Sequence, residues 1–321
     1  MKKGRILVTI LVCFLAVSFM ATGAHAKWPR KPINLLIQFS AGGTTDLSLR
    51  ILASIVGEYL GEPVVAVNKP GGSGAVAFGI LKNAKPDGYT IGGFSYSGSV
   101  IAPHIRKVPF DTKKDFSFIC QFADYFQGFA VKADAPWNTL QEYLDYARKN
   151  PGKANFATAG ANSGQYLTME IIAKQAKVKL KHIPYKGGAP AVAACLGGHV
   201  DGVAAAEIPE QHKAGKMKIL VVFGEQRAKA FPDVPTLGDL GYKVQLTFWL
   251  GVVGPKGISK EKLETLQNAF KKAMEADSFK KLLSRFEMTP TYKSGKDFET
   301  MVFSHYDAMK EVVEELGLAR K

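Results

Sequence analysis

Residues 33–46 read INLLIQFSAGGTTD and decide the fold class of this chain. The apolar run Ile33–Phe39 has the length of a buried strand, and a glycine-rich turn follows it directly. From about Asp46 to Leu60 the apolar residues recur at helical spacing, which predicts an amphipathic helix. A strand, a glycine-rich turn and a helix in succession are typical of parallel α/β layers.

The same pattern repeats along the chain. Further strands are predicted at Val64–Val67, Tyr89–Phe94, Asn155–Thr158, Leu180–Tyr185, Val200–Ala204, Met217–Phe223 and Val244–Gly254, with an extended stretch from about Phe116 to Val131. Helices are predicted at Leu140–Lys149, Tyr166–Ala176, a short segment ending at Leu196, Lys260–Ala276, Ser278–Phe286 and Asp297–Leu316. The chain is therefore expected to fold as an α/β protein.

The order of these segments predicts two α/β domains with a ligand cleft between them. The C-terminal block after about 260 is nearly all helix and has no sheet of its own, so we expect it to return to the first sheet. The first domain then comprises residues 27–122 and 247–321, and the second comprises 123–246. Two crossover segments join them.

Composition and charge limit the function. The 321 residues are 46% hydrophobic and 22% charged, which are ordinary globular values and exclude a disordered, collagen-like or coiled-coil chain. A net charge of +14 is compatible with nucleic acid, an anionic membrane surface or small anionic ligands. The basic residues are scattered and form no nucleic-acid-binding motif, so we expect no nucleic-acid partner.

The N-terminus has the three parts of a secretory signal peptide. Lys2, Lys3 and Arg5 form a basic start, the apolar run Ile6–Ala21 follows, and Ala24-His25-Ala26 supplies a cleavage site. The apolar run is shorter than the roughly 20 residues of a membrane helix, although an uncleaved anchor remains the alternative. Cleavage after Ala26 predicts an exported protein that is not membrane-embedded.

Cysteine usage points to neither a disulfide framework nor a metal site. Once the signal peptide is removed, Cys120 and Cys195 are the cysteines left, without a CxxC or Cys/His cluster. They form either one disulfide or two buried free thiols. No metal and no cofactor are expected.

Five glycine-rich turns occupy 40–46, 70–74, 95–99, 159–163 and 186–190. A helix that starts at such a turn offers unpaired N–H groups and about half a positive charge, so the turn can bind an anion. In open α/β sheets these turns lie at the carboxyl ends of the strands. Two domains that face each other with those edges would enclose a small anion.

Other motifs are weaker. Gly72-Ser73-Gly74-Ala75-Val76-Ala77 matches a loose dinucleotide pattern, but an exported protein has little access to such a cofactor. Walker, HExxH and GxSxG motifs are missing, so no catalytic residues are predicted. Three acids have alternative interpretations. Asp46 is a helix cap or a ligand contact, and Asp201 is a turn residue or a ligand contact. Glu207 is expected to be a hinge or surface residue rather than a ligand contact.

Several motifs in one order resemble the receptors of tripartite tricarboxylate transporters, the Bug family. They are Pro32–Asp46, Asn68–Gly74, Lys85–Tyr89, His182–Ala191, Gly197–Asp201, Ala214–Lys216, Val234–Thr236 and Trp249–Gly251. The resemblance implies a type II-like, two-lobed periplasmic binding protein that closes on a small carboxylate and passes it to a membrane permease. It also implies a monomer in the periplasm that is not an enzyme.

The resemblance and the glycine-rich turns together predict the binding site. The predicted ligand-binding residues are Ala41, Gly42, Gly43, Asp46, Gly72, Ser73, Ser97, Ser99, Ala159, Ser163, Tyr185, Gly187, Ala189 and Asp201. The resemblance implies that Ala41 and Gly43 offer backbone N–H groups to one carboxylate. Residues of the second domain, Ser163, Tyr185 and Ala189, would hold the other end.

Two departures from the family pattern leave the solute open. Where the family carries Thr-x-x-His-Leu, this chain has Ser163-Gly164-Gln165-Tyr166-Leu167, and Glu207 stands where such receptors tend to be apolar or aromatic. A site with few cationic side chains relies on helix dipoles, which favours one or two carboxylates over three. Alternative functions are a ligand sensor for a membrane kinase and a secreted hydrolase.

Overall fold

Two β-sheets flanked by helices organise the chain in a computed structural model that describes residues 28–243 and 246–320. The predicted signal peptide and its cleavage site lie outside the described residues. The segment from Lys31 onward is one structural unit that contains both sheets.

The strands and helices of this unit follow the predicted alternation. The strands are β1 (Ile33–Ile37), β2 (Val64–Asn68), β3 (Thr90–Ser95), β4 (Phe116–Asp124), β5 (Gly128–Lys132), β6 (Asn155–Thr158), β7 (Lys181–Pro184), β8 (Gly202–Ala205), β9 (Met217–Val222), β10 (Trp249–Pro255) and β11 (Thr289–Ser294). The helices are α1 (Thr44–Leu60), α2 (Ala75–Lys82), α3 (Ala102–Ile105), α4 (Leu140–Lys149), α5 (Gly164–Ala176), α6 (Gly188–Leu196), α7 (Ile208–Lys213), α8 (Lys260–Ala273), α9 (Asp277–Arg285) and α10 (Gly295–Glu315).

The first lobe is built on a sheet with the strand order β11-β4-β10-β3-β1-β2. Strand β1 runs parallel to β2 and β3, whereas β10 pairs antiparallel with β3 and β4. Helices α8 and α10 contact β4, and α8 and α9 contact α1. The C-terminal helices therefore return to the first sheet, as the sequence predicts.

The second lobe is built on a sheet with the order β7-β6-β8-β5-β9. Strand β6 runs parallel to β7 and β8, and β5 pairs antiparallel with β8 and β9. The chain passes from the first sheet to the second between β4 and β5 and returns between β9 and β10. The fold is thus the predicted two-lobed α/β architecture, and the domain boundaries at 122/123 and 246/247 stay predictions.

An aromatic core supports the cleft edge of the first sheet. The fully buried Phe94 of β3 packs its ring against Phe78, Phe116, Phe118 and Trp249, with ring centroids 4.9–6.4 Å apart. Aromatic pairs at these separations add to the stabilisation from buried apolar area. The carboxyl ends of β1 and β3 therefore rest on a densely packed support.

Three predictions of local structure are wrong. The C-terminal block is not all helix, because residues 289–294 form the edge strand β11 beside β4. The glycine-rich turn predicted at 95–99 is instead partly helical, because Ser97–Ile101 form a π-helical turn that continues into α3. The strand predicted at Val244–Gly254 begins at Trp249, as β10, and residues 244–245 lie outside the described part.

The two described cysteines are buried free thiols, so the disulfide alternative is not formed. Burial raises the pKa of Cys120 far above its usual value and raises that of Cys195 to about 12, which leaves both thiols unreactive. Within residues 28–243 and 246–320, no group of His, Cys, Asp and Glu side chains is arranged to hold a metal ion. No helix in those ranges has the length and apolar character needed to cross a membrane.

Candidate functional site

The glycine-rich turns of both lobes converge on a cleft that contains two adjoining pockets. The Glu207 pocket spans about 370 Å³, the solvent at its open mouth included, and is lined by Phe39, Ser40, Gly43, Thr44, Thr45, Ser97, Tyr125, Ala159, Gln165, Gly188, Ala206 and Glu207. The Lys186 pocket spans about 490 Å³, measured in the same way, and is lined by Phe39, Gly71, Gly72, Ser73, Ala159, Gly160, Ala161, Pro184, Tyr185 and Lys186. Phe39 and Ala159 belong to both, so the pockets are two parts of one cleft.

Helix α1 begins at the Glu207 pocket without a cap of its own. Its N-cap residue is Gly43, which has an extended backbone and no capping side chain. The backbone N–H of Thr44 donates to Glu207 Oε1 at 2.9 Å, and the Thr44 hydroxyl lies 3.1 Å from the same oxygen. A carboxylate of the second lobe therefore caps a helix of the first lobe across the cleft.

Two glycines leave the space that the Glu207 carboxylate occupies. A Cβ on Gly43 would lie 2.8 Å from Oε1, and a Cβ on Gly188 would overlap the carboxylate. Gly188 is also the first residue of α6, whose N-cap, Gly187, contributes no side chain. The carboxylate thus lies between the amino ends of α1 and α6, where helix dipoles favour negative charge.

Burial and hydrogen bonding act in opposite directions on Glu207. Burial raises the pKa of its carboxyl group above the usual value, and the hydrogen bonds from Thr44 oppose that rise. Burial also raises the pKa of the neighbouring Tyr125 phenol, and the Glu207 carboxylate raises it further. No Lys, Arg or His is among the residues that line this pocket, so the donors that face the Glu207 carboxylate are backbone N–H and hydroxyl groups.

Helix α5 also begins at the cleft, but it is capped by its own serine. The Ser163 hydroxyl accepts from Tyr166 N at 3.2 Å, and the N–H of Gly164 donates to Ser97 Oγ at 2.9 Å. Ser97 lines the Glu207 pocket, whereas Ser163 is buried behind it. Ser97 therefore links the lobes and Ser163 organises the helix terminus.

The Lys186 pocket brings together three other predicted residues. Gly72, Ser73 and Tyr185 all line it. Ser73 has a left-handed backbone, with φ of 53°, and its hydroxyl accepts from Asn162 N at 3.3 Å across the cleft. This turn gives the pocket a polar wall.

Asp46 lies behind the turn of α1 rather than in a pocket. Its Oδ2 accepts from Gly42 N at 2.9 Å, and its Oδ1 accepts from Arg50 and Asn68. Burial alone would raise its pKa, but these hydrogen bonds hold the pKa below its usual value. Asp46 and Gly42 therefore shape the turn.

Ser99 and Asp201 are also away from both pockets. The Ser99 hydroxyl donates to Ser95 O at 2.8 Å inside the first lobe. Asp201 Oδ2 accepts from the backbone N–H of Asn155 at 2.9 Å, at the amino ends of β6 and β8. The cleft lies at the opposite, carboxyl ends of these strands, so Asp201 fixes a strand start.

The remaining predicted positions are backbone positions at the helix starts. Gly187 caps α6, and Ala189 N lies 3.8 Å from a Cβ built on Gly43. Ala41 is exposed and lines neither pocket, because the turn presents Thr44 to the cleft instead. Helix α1 begins two residues before its predicted start, which explains why Thr44 was missed.

Glu207, Gln165 and Tyr125 line the pocket although the sequence did not predict them there. Glu207 was expected to be a hinge or surface residue, and its place in the cleft overturns that expectation. The signal available in the sequence was its departure from the apolar pattern of the related receptors. Tyr166, the other departure, stacks on His182 with ring centroids 4.5 Å apart and lines neither pocket.

Comparisons with known proteins agree with this architecture. Residues 48–318 match the family described as "Tripartite tricarboxylate transporter family receptor". A UPF0065 protein in the gbd 5' region of Cupriavidus necator is 37% identical over 308 residues, covering 95% of this chain and 94% of that protein. The structure of periplasmic binding protein BugD has a TM-score of 0.87 at 28% identity, covering 92% of this chain and all of BugD.

A more distant structure shares the fold. MatC from Rhodopseudomonas palustris with bound malate has a TM-score of 0.84 at 23% identity, covering 89% of this chain and all of MatC. The family match extends over most of the chain and includes both lobes. The chain belongs to the tripartite tricarboxylate transporter receptor family, the Bug family, and is a periplasmic solute-binding receptor of that type.

Proposed function

We propose that this receptor captures a small carboxylate-bearing solute in the cleft and delivers it to the membrane permease of a tripartite transporter. One observation carries the proposal: the cleft already holds a carboxylate, that of Glu207, on the first backbone N–H of α1. The geometry of this turn therefore suits a carboxylate oxygen. MatC, which has the same fold, is a malate-bound structure, and this supports the proposed ligand class.

The proposed binding residues are the predicted ones that line the two pockets. They are Gly43, Ser97 and Ala159 in the Glu207 pocket and Gly72, Ser73 and Tyr185 in the Lys186 pocket, with Gly187 and Ala189 at the start of α6. To these we add Thr44 and Gln165. Backbone and hydroxyl donors predominate, so bridging water is expected to complete the ligand's hydrogen bonds.

Domain closure is the proposed mechanism of capture. Direct hydrogen bonds already join the lobes, from Ser40 N to Lys186 O at 3.1 Å and from Gly164 N to Ser97 Oγ at 2.9 Å. A solute that contacts both lobes binds the closed state more tightly than the open one and shifts the population toward closure. The closed surface would then be recognised by the permease.

The proposal extends to maturation and assembly. Residues 1–26 would act as a signal peptide, with cleavage after Ala26 and release of a monomer into the periplasm. The mature chain would bind its solute without converting it.

A thermal-shift panel on refolded, ligand-free mature protein tests the capture step. Mono-, di- and tricarboxylates are compared with the corresponding amides and alcohols. A ligand at 100 times its dissociation constant stabilises the protein by about 2.7 kcal/mol, so one carboxylate class should raise the melting temperature. A panel in which no carboxylate does so would contradict the proposal.

Delivery requires a separate measurement. The liganded receptor should be retained by the cognate permease in detergent, and the ligand-free receptor should be retained less. Retention by a sensor-kinase ectodomain instead would assign the receptor to signalling. Recovery of chemically altered solute would contradict a pure binding function.

A further inference from the structure

We infer that Glu207 is a specificity-determining residue that selects an aminocarboxylate, a solute with one carboxylate and one ammonium group, over a dicarboxylate. This inference rests on the proposed function and narrows its solute class. Glu207 supplies one of the carboxylates inside the cleft, so the solute has to bring a hydrogen-bond donor to that place.

The occupied anion site is the first observation. The N–H of Thr44 donates to Glu207 Oε1 at 2.9 Å, and the Thr44 hydroxyl is 3.1 Å from it. Gly43 contributes no cap, so the N–H and hydroxyl of Thr44 meet the Glu207 carboxylate directly. A second carboxylate at this position would have to compete with one that the protein holds covalently.

The charge balance is the second observation. The residues lining the Glu207 pocket include one acid and no base. The start of α5 at the cleft is already capped by Ser163, and the two helix starts that flank the Glu207 carboxylate, those of α1 and α6, contribute about half a positive charge each. That is enough for the Glu207 carboxylate alone, and a dicarboxylate would add two further negative charges.

Other charged groups lie outside the Glu207 pocket, and one of them, Arg106, donates to Gly72 O at the adjoining pocket. Asp46, in the first turn of α1, is paired with Arg50 behind the turn. Tyr125 stays a neutral phenol because its pKa is raised. The adjoining pocket contains Lys186, which is exposed and can receive the single carboxylate of the solute.

An unpartnered acceptor is the third observation. Gln165 lines the Glu207 pocket, the residue is 4% exposed, and its buried Oε1 has no hydrogen-bond partner among the described residues. A buried carbonyl oxygen without a donor is costly, so such a group is expected to meet one in the liganded state. An ammonium group carries three donors and satisfies both Gln165 and Glu207.

Matched ligand pairs test the inference. The probes are α- and ω-amino acids of two to six carbons and the dicarboxylates with the same number of methylene groups, measured by calorimetry on refolded protein. We expect the best aminocarboxylate to bind wild-type receptor at least tenfold more tightly than its dicarboxylate partner. This preference needs no variant, so it is decisive even if a substitution at 207 disturbs folding.

The variant Glu207→Gln should then reverse the preference. It keeps the size of the side chain but removes its charge, so aminocarboxylate affinity should fall at least tenfold and dicarboxylate affinity should rise. Glu225→Gln is the matched control, because Glu225 is an exposed acid of the same lobe that lines neither pocket. It should bind like the wild type.

The outcomes separate this inference from the proposed function. If a dicarboxylate binds wild-type receptor as tightly as any aminocarboxylate, the inference is wrong and the proposed carboxylate capture stands. If Glu207→Gln strengthens the binding of aminocarboxylates and dicarboxylates equally, Glu207 merely blocks the cleft and the inference is again wrong. If no carboxylate of any class binds either protein, both proposals fail.

Discussion

Helices α1 and α5 both begin at the cleft, and both receive a hydrogen-bond partner from the opposite lobe. Thr44 of α1 donates to the charged Glu207, whereas Gly164 of α5 donates to the neutral Ser97. Helix α5 also has its own cap in Ser163, and α1 has none. The comparison indicates that the start of α5 is capped by its own side chain, whereas the start of α1 binds a charged group from the other lobe.

The largest expected effect is a loss of solute affinity when a side chain fills the space at the start of α1. Gly43→Val places a Cβ 2.8 Å from Glu207 Oε1 without backbone strain, because Gly43 has φ of −86°. The Glu207 carboxylate then has to move away from the start of α1, so solute affinity should fall at least tenfold, about 1.4 kcal/mol, while the fold persists. Calorimetry with the best ligand and circular dichroism measure the two properties.

Gly224→Val is the control for this change. A Cβ there would meet its nearest atom at an ordinary 3.5 Å in an exposed loop. It should leave affinity unchanged. Unaltered affinity in Gly43→Val would instead show that the solute does not depend on the start of α1.

The next effect is on stability and concerns the cap of α5. Ser163→Ala removes the acceptor of Tyr166 N, and loss of an N-cap costs about 1 kcal/mol of unfolding free energy. Urea unfolding should show this loss with little change in affinity. Ser294→Ala, which removes the equivalent cap of the distant α10, should lose a similar amount. A large affinity loss in Ser163→Ala alone would make Ser163 a ligand contact.

A smaller effect is expected from the neutral bridge between the lobes. Ser97→Ala removes the acceptor of Gly164 N, a bond worth about 0.5–1.5 kcal/mol, but only in the closed state. Affinity should therefore fall a few-fold, and the stability of the ligand-free protein should change little. Ser99→Ala breaks a bond within the first lobe and should not alter affinity. Equal effects of the two variants would contradict a cross-lobe role for Ser97.

The effect that is smallest at neutral pH is a pH dependence of stability behind α5, which grows as the pH falls. His182 stacks on Tyr166, and burial lowers its pKa to about 4. Because the unfolded chain binds this proton at the ordinary histidine pKa, stability should be complete above about pH 6.5 and should fall between about 6.5 and 4. His182→Phe keeps a ring in the stack and should reduce the slope of melting temperature against pH. An unchanged slope would show that His182 does not titrate in this way.

Local patterns predicted most elements well. Leu140–Lys149 and Asn155–Thr158 have the predicted bounds, because apolar spacing and capping residues act over a few neighbouring positions. Strand β11 was missed, since an exposed edge strand depends on pairing with β4 and carries little periodic signal. Distant pairing of this kind cannot be read from one segment.

The residues of the candidate site also divide into those that local sequence predicts and those that depend on the tertiary structure. Gly43 and Ser73 were found because glycine-rich turns after strands mark helix starts, which is a local property. Asp46 and Asp201 were placed in the site from local context, but their hydrogen bonds to Gly42 and Asn155 make them structural. Only the fold shows which side of a turn a side chain faces.

The sequence by itself determined the two-lobed α/β fold, the family and the glycine-rich turns, because these depend on short-range periodicity and on motifs in a fixed order. The tertiary structure alone decided that Glu207 meets Thr44, a residue 163 positions away in the chain. This hydrogen bond depends on how the two lobes face each other, and no local sequence pattern encodes that geometry. The charge of the cleft, and with it the proposed solute class, therefore follows from the closed packing of the lobes.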